Sequence, residues 1–405
     1  MRILQLTPQF PFPPDDGGRI GIANIYYEFL EQGNDVDMVS MSRFPIKQSE
    51  IEKYKKNGNI SIIEMDTKNT KFRVISYFLK NKSLYIEKQY TSDLINKIES
   101  LVDMSLIDVI HADHSNMARV ALELSEKYRI PVGLRLHNIE YLIWKRFFEG
   151  LGKFNPKRVF IGQQYKLLKK LEAKFISDSD ISFAITKEDK RRALELSPKA
   201  NVVIASAGVD IEDWKPNFSV FKEPFSLVIA TTFNWFHNVN AVHWFLDNVL
   251  PILNSKYPNV TLKIIGKNPP SIFDNYAELG ANKLGYVDKV KPYFNSTQVY
   301  IAPLFVGGGI RIKILEALSM GLPVVATDMS AEGIDADESQ GLIRANSIEE
   351  YSHEISKLFD DDVLRVELGK KARKFIEDNH TWKSNVKIMI VEYTKLVSSK
   401  KSKAL

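Results

Sequence analysis

Two cations one residue apart, Arg311 and Lys313, follow three consecutive glycines, Gly307, Gly308 and Gly309, and precede a carboxylate at Glu316. Glycine lets a backbone turn sharply and approach a ligand, and the start of a helix offers unpaired N–H groups with the positive end of its dipole. Cationic side chains at that end are unfavourable by roughly 0.3–1 kcal/mol each, so a bound anion accounts for finding two of them. The chemistry is phosphate binding, with Gly308, Gly309, Ile310, Arg311, Ile312 and Lys313 supplying backbone and charge. A helix starting near Ile312 sets Glu316 about one turn further on, where a carboxylate can accept from ribose hydroxyls. Such turns also occur for packing alone, and these charges could form an ordinary solvated face. The continuation favours a ligand, because Ala317 and then Gly321 to Thr327 read as a turn and a buried strand.

A second reactive group is His137. Residues 131–136 read as a strand, and a histidine at the carboxyl end of a parallel strand points to where open α/β sheets bind ligands. From the residues alone, His137 or Asn138 capping the next helix is the stronger reading. Gly17 and Gly18 close a proline-rich loop after the apolar run 3–7, ahead of helical spacing over 19–32 and a strand at 36–39. That is a βαβ opening with the glycines at its ligand edge, or else a flexible turn. The pair His111 and His114 is the only weak hint of metal-ligand spacing, and it reads as the end of a strand.

These groups need two domains to position them, and 405 residues suffice for two cores. A hydrophobic content of 44% with 26% charged residues is that of a soluble globular protein. No stretch approaches a membrane span and no secretory leader is visible, so a cytoplasmic protein is expected, without disulfides or thiolate metal sites. A net charge of +5 suits anionic substrates or a membrane surface and excludes a nucleic-acid footprint. The first domain is expected over 1–207, leaving through Gly208-Val209-Asp210, and the second over 208–381, with a terminal helix in 382–405 crossing back. In the second domain, 227–230, 260–265, 284–287 and 299–302 read as strands. A helix runs from about 238 to 254 with Trp244, Phe245 and Leu250 as core, and His237 and His243 are structural. The strand end at Tyr286 and Val287 should meet a nucleotide base. Past 341 only helices are expected. Residues 45–105 carry little signal, and 147–175 reads as one helical, basic stretch. There Lys166, Lys169, Lys170 and Lys174 share a face that is either simply solvated or rests on anionic lipid.

The order APLFVGGGIRIKILEALSMGLPVVATDMSAEG over 302–333 resembles the nucleotide-binding half of glycosyltransferase family 4 (group 1), retaining enzymes of the GT-B fold. Arg135-x-His137-Asn138-x-Glu140 resembles the family's second signature, and Gly208-Val209-Asp210 resembles the turn that ends its first half. The resemblance implies an α/β protein of two Rossmann-like domains facing a central cleft, the first for the acceptor and the second for the donor. It implies transfer of a sugar from a nucleotide-sugar to a sugar or lipid-linked sugar, in cell-surface polysaccharide or glycolipid synthesis, with no metal and no further cofactor. Arg311 and Lys313 would stabilise the leaving pyrophosphate, Glu316 would hold the ribose, His137 would orient the reacting sugar, and Gly17 and Gly18 would touch donor phosphate or acceptor. It does not hold throughout. Many members carry a second glutamate eight positions before this one, where this chain has Gly308, and the loop 231–238 lacks the usual glycine, arginine and lysine. A nucleotide-sugar epimerase of the same fold and a non-catalytic nucleotide-binding relative are the alternatives.

Overall fold

The computed structural model describes residues 1–404 apart from Asp15, Phe218, Gly307 and Gly308. The chain forms two compact units, one of residues 1–206 with those from 385 onward, the other of residues 207–384.

In the first unit, β1 (Arg2–Thr7), β2 (Asp35–Ser42), β3 (Asn59–Glu64), β4 (Val109–Asp113), β5 (Val132–Leu136), β6 (Ile181–Ala184) and β7 (Val202–Ile204) form one parallel sheet ordered β3-β2-β1-β4-β5-β6-β7. Helices cover both faces of a parallel sheet, so its central strands read as continuous apolar runs, and β4 and β5 are buried from end to end. At the edge, β3 is partly exposed and reads NISIIE, which is why the lysine- and asparagine-rich region 45–105 concealed a strand. Gly17 and Gly18 are not in a loop. They open helix Gly17–Glu31, whose N-terminus is capped by the Asp16 side chain. The basic stretch 147–175 is likewise two helices, Glu140–Gly150 and Lys157–Asp178, interrupted at 151–156 where Gly152 and Pro156 oppose a continuous ladder.

The second unit repeats the plan with β8 (Ser226–Ala230), β9 (Thr261–Ile265), β10 (Ala281–Gly285), β11 (Val299–Ala302), β12 (Val324–Ala326) and β13 (Leu342–Arg344), all parallel and ordered β10-β9-β8-β11-β12-β13. Past residue 341 the chain therefore makes an edge strand before its last helices. The helix expected to reach 254 is two, Phe236–Asn248 and Leu250–Lys256, the second with a proline in its first turn. Phe245 and Leu250 are fully buried in this core, with Trp244 packed against it. His243 bonds Tyr276 at 3.1 Å.

Helix Trp382–Ala404 starts in the second unit and from Asn385 belongs to the first. There the Tyr393 ring fills the space over Gly133 in β5, where an added Cβ would stand 2.3 Å from it, and its hydroxyl lies 2.6 Å from His111 Nδ1.

Candidate functional site

Both sheets reverse direction once, between β1 and β4 in the first and between β8 and β11 in the second. Loops at the carboxyl ends of such strand pairs splay apart and leave room for a ligand. The reactive residues are described unit by unit.

In the second unit, β11 sits at the reversal and leads through the glycine loop into helix Ile312–Ser319. Gly307 and Gly308 lie outside the described residues. Gly309 has φ 76°, a left-handed conformation that glycine adopts without strain. Arg311 is the extended residue immediately before the helix, and no side chain among the described residues caps that N-terminus. Arg311 Nε is buried with no hydrogen-bond partner among the described residues. Burial pulls the pKa of its guanidinium down, and nearby Glu332 opposes this. A half-buried cation beside uncapped helix N–H groups is an arrangement that an anion would satisfy.

Lys313 does not point at the same spot unengaged. Its Nζ donates to Glu316 Oε2 at 2.6 Å and lies 5.3 Å over the Trp214 ring, which Lys291 also approaches at 5.6 Å. Glu316 is buried, which raises its pKa; Lys313 opposes the rise by charge and hydrogen bond. Arg311, Lys313 and Glu316 are thus brought together, with the lysine already neutralising the carboxylate. Tyr286 and Val287 fall just past β10, Tyr286 exposed and Val287 half-buried. Three strand spacings separate β10 from β11, about 14 Å, so a ligand touching both ends must be extended. Lys267, which sequence reading passed over, follows Gly266 at the end of β9 and lies 5.3 Å from the Tyr286 ring. Gly266 cannot be replaced there, because an added Cβ would meet Thr231 O at 1.7 Å.

In the first unit, Asp113 and Arg135 face each other in register across β4 and β5, both fully buried, with Nη1–Oδ1 at 2.8 Å. Burial disfavours the Asp113 carboxylate, but Arg135, with the imidazoles of His111 and His114 at 3.6 and 3.3 Å, outweighs it and holds the pKa well below the ordinary value. His137 follows β5 directly. Its Nδ1 is buried without a partner, and burial, reinforced by the charges of His114 and Arg135, drives its pKa far down, so it is a neutral imidazole at neutral pH. The His114 ring lies 4.5 Å from that of His137. At Gly18 an added Cβ would stand 3.3 Å from Gln9 Nε2 and 3.9 Å from His114 Nε2, so Gly18, His114 and His137 converge.

His114 was read from sequence as the end of a strand, and the structure gives it more. Its backbone has φ 72° and ψ 150°, a region almost confined to glycine that costs on the order of 1–3 kcal/mol elsewhere. The signal was available, since His114 follows a strand as His137 does. Beneath the pair, Glu172 accepts from the N–H groups of Glu140 and Tyr141 at 3.0 and 2.8 Å and from Ser115 Oγ at 2.9 Å. Burial raises its pKa to about 8. It lies 35 residues beyond His137, and no local pattern announces it. Among the described residues no group of three metal-ligating side chains converges, and no helix is long and apolar enough to cross a membrane.

Comparison with known proteins covers both units. Residues 225–361 match the family model described as Glycosyl transferases group 1. An uncharacterized glycosyltransferase of Methanocaldococcus jannaschii is 33% identical over 126 residues, 30% of this chain and 31% of that one, so the chain matches about a third of that relative. One of Haemophilus influenzae is 24% identical over 88% of this chain and 90% of its own length. Among solved structures, sucrose-phosphate synthase of Thermosynechococcus elongatus superposes with a TM-score of 0.72 at 13% identity, covering 98% of this chain and all of that one. Anabaena HepE, solved in complex with UDP and glucose, superposes with a TM-score of 0.66 at 14% identity over 98% of this chain and all of its own. Residues 225–361 thus resemble a group 1 glycosyltransferase domain, carried in a chain with the two-domain GT-B fold.

Proposed function

We propose that this protein transfers a sugar from a nucleotide-sugar to a hydroxyl of a sugar or lipid-linked sugar, with retained anomeric configuration and without a metal or other cofactor. The observation that carries this reading is Arg311, whose buried Nε lacks a partner among the described residues beside an uncapped helix N-terminus after the reversal strand. A departing nucleoside diphosphate gains negative charge as its bond to the anomeric carbon breaks, and a prepositioned cation with N–H dipoles stabilises that charge. The acceptor oxygen bonds to the anomeric carbon on the face the diphosphate leaves, and its proton passes to the departing phosphate oxygen. Neutral His137 orients a hydroxyl rather than holding an anion. The second unit then takes the donor, with Tyr286 and Val287 at the base, Glu316 at the ribose and Ile310, Ile312 and Gly309 along the phosphates. The first takes the acceptor, with Gly17 and Gly18 at its edge. HepE and the pneumococcal transferase GtfA, solved with UDP and GlcNAc, make uridine the first base to test. We place this activity in polysaccharide synthesis on the cytoplasmic side; one relative, 22% identical, is an uncharacterized protein in a cps region of Klebsiella pneumoniae.

Calorimetry with UDP, GDP, ADP and CMP, followed by transfer assays with the matching nucleotide-sugars, tests the reading. Tight binding of one nucleotide with release of diphosphate on acceptor addition supports it. Epimer formation, or binding without turnover for any acceptor, would replace it with one of the two alternatives.

A further inference from the structure

Helix Lys71–Leu79 buries none of its residues, and three of its large apolar side chains stand exposed. Phe72 is 83% exposed, Leu79 76%, and Ile75 also lies open; at 72, 75 and 79 they form one helical stripe. The helix is nonetheless fastened in place. The Phe78 and Phe160 rings stand 6.1 Å apart, and Gln163 Nε2 donates to Phe78 O at 3.0 Å and to Asn81 Oδ1 at 3.1 Å. Its support is the start of helix Lys157–Asp178, where Val159 is exposed, and the preceding turn projects Phe154, which is 100% exposed. Phe148, Phe154 and Val159 line a groove of about 650 Å³ there, with Lys153 and Lys166 at its rim.

Around this apolar set stand Lys71, Lys80, Lys153, Lys157 and Lys166, all exposed and none in an ion pair among the described residues. The nearby acids are already occupied, Asp66 by Arg73 at 3.2 Å and Glu149 by Lys145 at 3.5 Å. Lysine is depleted at protein–protein interfaces, whereas apolar tips with lysines beside them match the boundary between acyl chains and lipid phosphates. Of the lysine row along this helix the face takes in Lys166 alone and leaves out Lys169, Lys170 and Lys174. There Lys174 pairs with Asp178, and no large apolar residue between 169 and 174 is exposed.

We propose that helix Lys71–Leu79, the turn 151–156 and the start of helix Lys157–Asp178 seat the first unit on an anionic lipid bilayer. Phe72, Ile75, Leu79 and Phe154 enter the acyl boundary, and the five lysines sit at the level of the phosphates. The assignment stands apart from sugar transfer, since it uses no residue placed in that site.

The test uses the full chain with vesicles of phosphatidylcholine, alone or mixed with phosphatidylglycerol. The triple variant F72S/I75S/L79S, exposed at all three positions and so expected to keep its thermal unfolding curve, should partition at least about tenfold more weakly. Lys153→Ser and Lys157→Ser should each weaken binding about fivefold on the anionic vesicles. Phe154→Trp should report insertion by blue-shifted emission and by quenching from brominated acyl chains. Binding that the triple variant retains and that high salt abolishes, with unshifted emission, would overturn insertion. A wild-type dimer that the triple variant makes monomeric, with no vesicle binding, would give the face to a second copy instead.

Discussion

The two sheets run through the same reversal of strand order, yet the loops at that point carry opposite kinds of chemistry. In the first unit charge is cancelled internally, with Asp113 against Arg135 and His137 kept neutral beside them. In the second, Arg311 is half-buried with Nε buried and unpartnered among the described residues, while Lys313 and Glu316 neutralise each other. One frame can therefore present a neutral hydrogen-bonding surface or an anion site, according to whether the charges at its reversal find partners within the sheet.

The largest expected effect would break that contrast directly. Arg311→Ala should lower transfer by about 10²–10³-fold and weaken nucleoside diphosphate binding less, because leaving-group charge is greatest in the transition state. His137→Ala should lower transfer by about 10²-fold or more with nucleotide affinity unchanged. Steady-state kinetics with parallel calorimetry reads both, and loss of nucleotide binding in His137→Ala would erase the division between the units. Next, Glu316→Gln should weaken the nucleoside diphosphate by about 1.5–3 kcal/mol, since a charge-assisted acceptor is lost. An unchanged affinity would mean that its ion pair with Lys313 persists in the complex.

His114 offers a test within the neutral unit. His114→Gly should be about 1–3 kcal/mol more stable than His114→Ala in denaturant unfolding, since both remove the imidazole and only glycine accepts φ 72° without strain. Both should lose transfer. The last effect concerns pH and is spread over several units. With a pKa of about 8 in the native state against an ordinary 4.5, Glu172 holds a proton that the unfolded chain releases between those values. Its contribution is complete below pH 4.5 and declines by at most about 1.4 kcal/mol per unit as pH rises toward 8. Glu172→Gln should flatten that decline in thermal unfolding followed across the window.

What was legible in the sequence follows from these packing facts. Central strands such as β4 and β5 are buried on both faces and show as apolar runs, and the helix starting at Ile312 was visible from glycines and spacing. The edge strand β3 was hidden because half-exposed residues carry no clear period. Gly17 and Gly18 read as a loop because the Asp16 cap outweighs the poor helix propensity of glycine. The Lys313–Glu316 bond was within reach of helix spacing, but its competition with a ligand needed the burial of Glu316. His114, Asp113 and Arg135 needed the strand order, which brings residues 22 apart into one ion pair.

The seat of Tyr393 over Gly133 bears on how the chain is made. The first unit has all seven strands once residue 204 is synthesised, yet the ring that fills its sheet and meets His111 comes 189 residues later. At about 5–20 residues per second a ribosome takes on the order of ten seconds or more to supply it. During that interval the sheet lacks the ring that covers Gly133 and His111 Nδ1 lacks its hydroxyl partner. Maturation of the part made first therefore waits on a segment made much later.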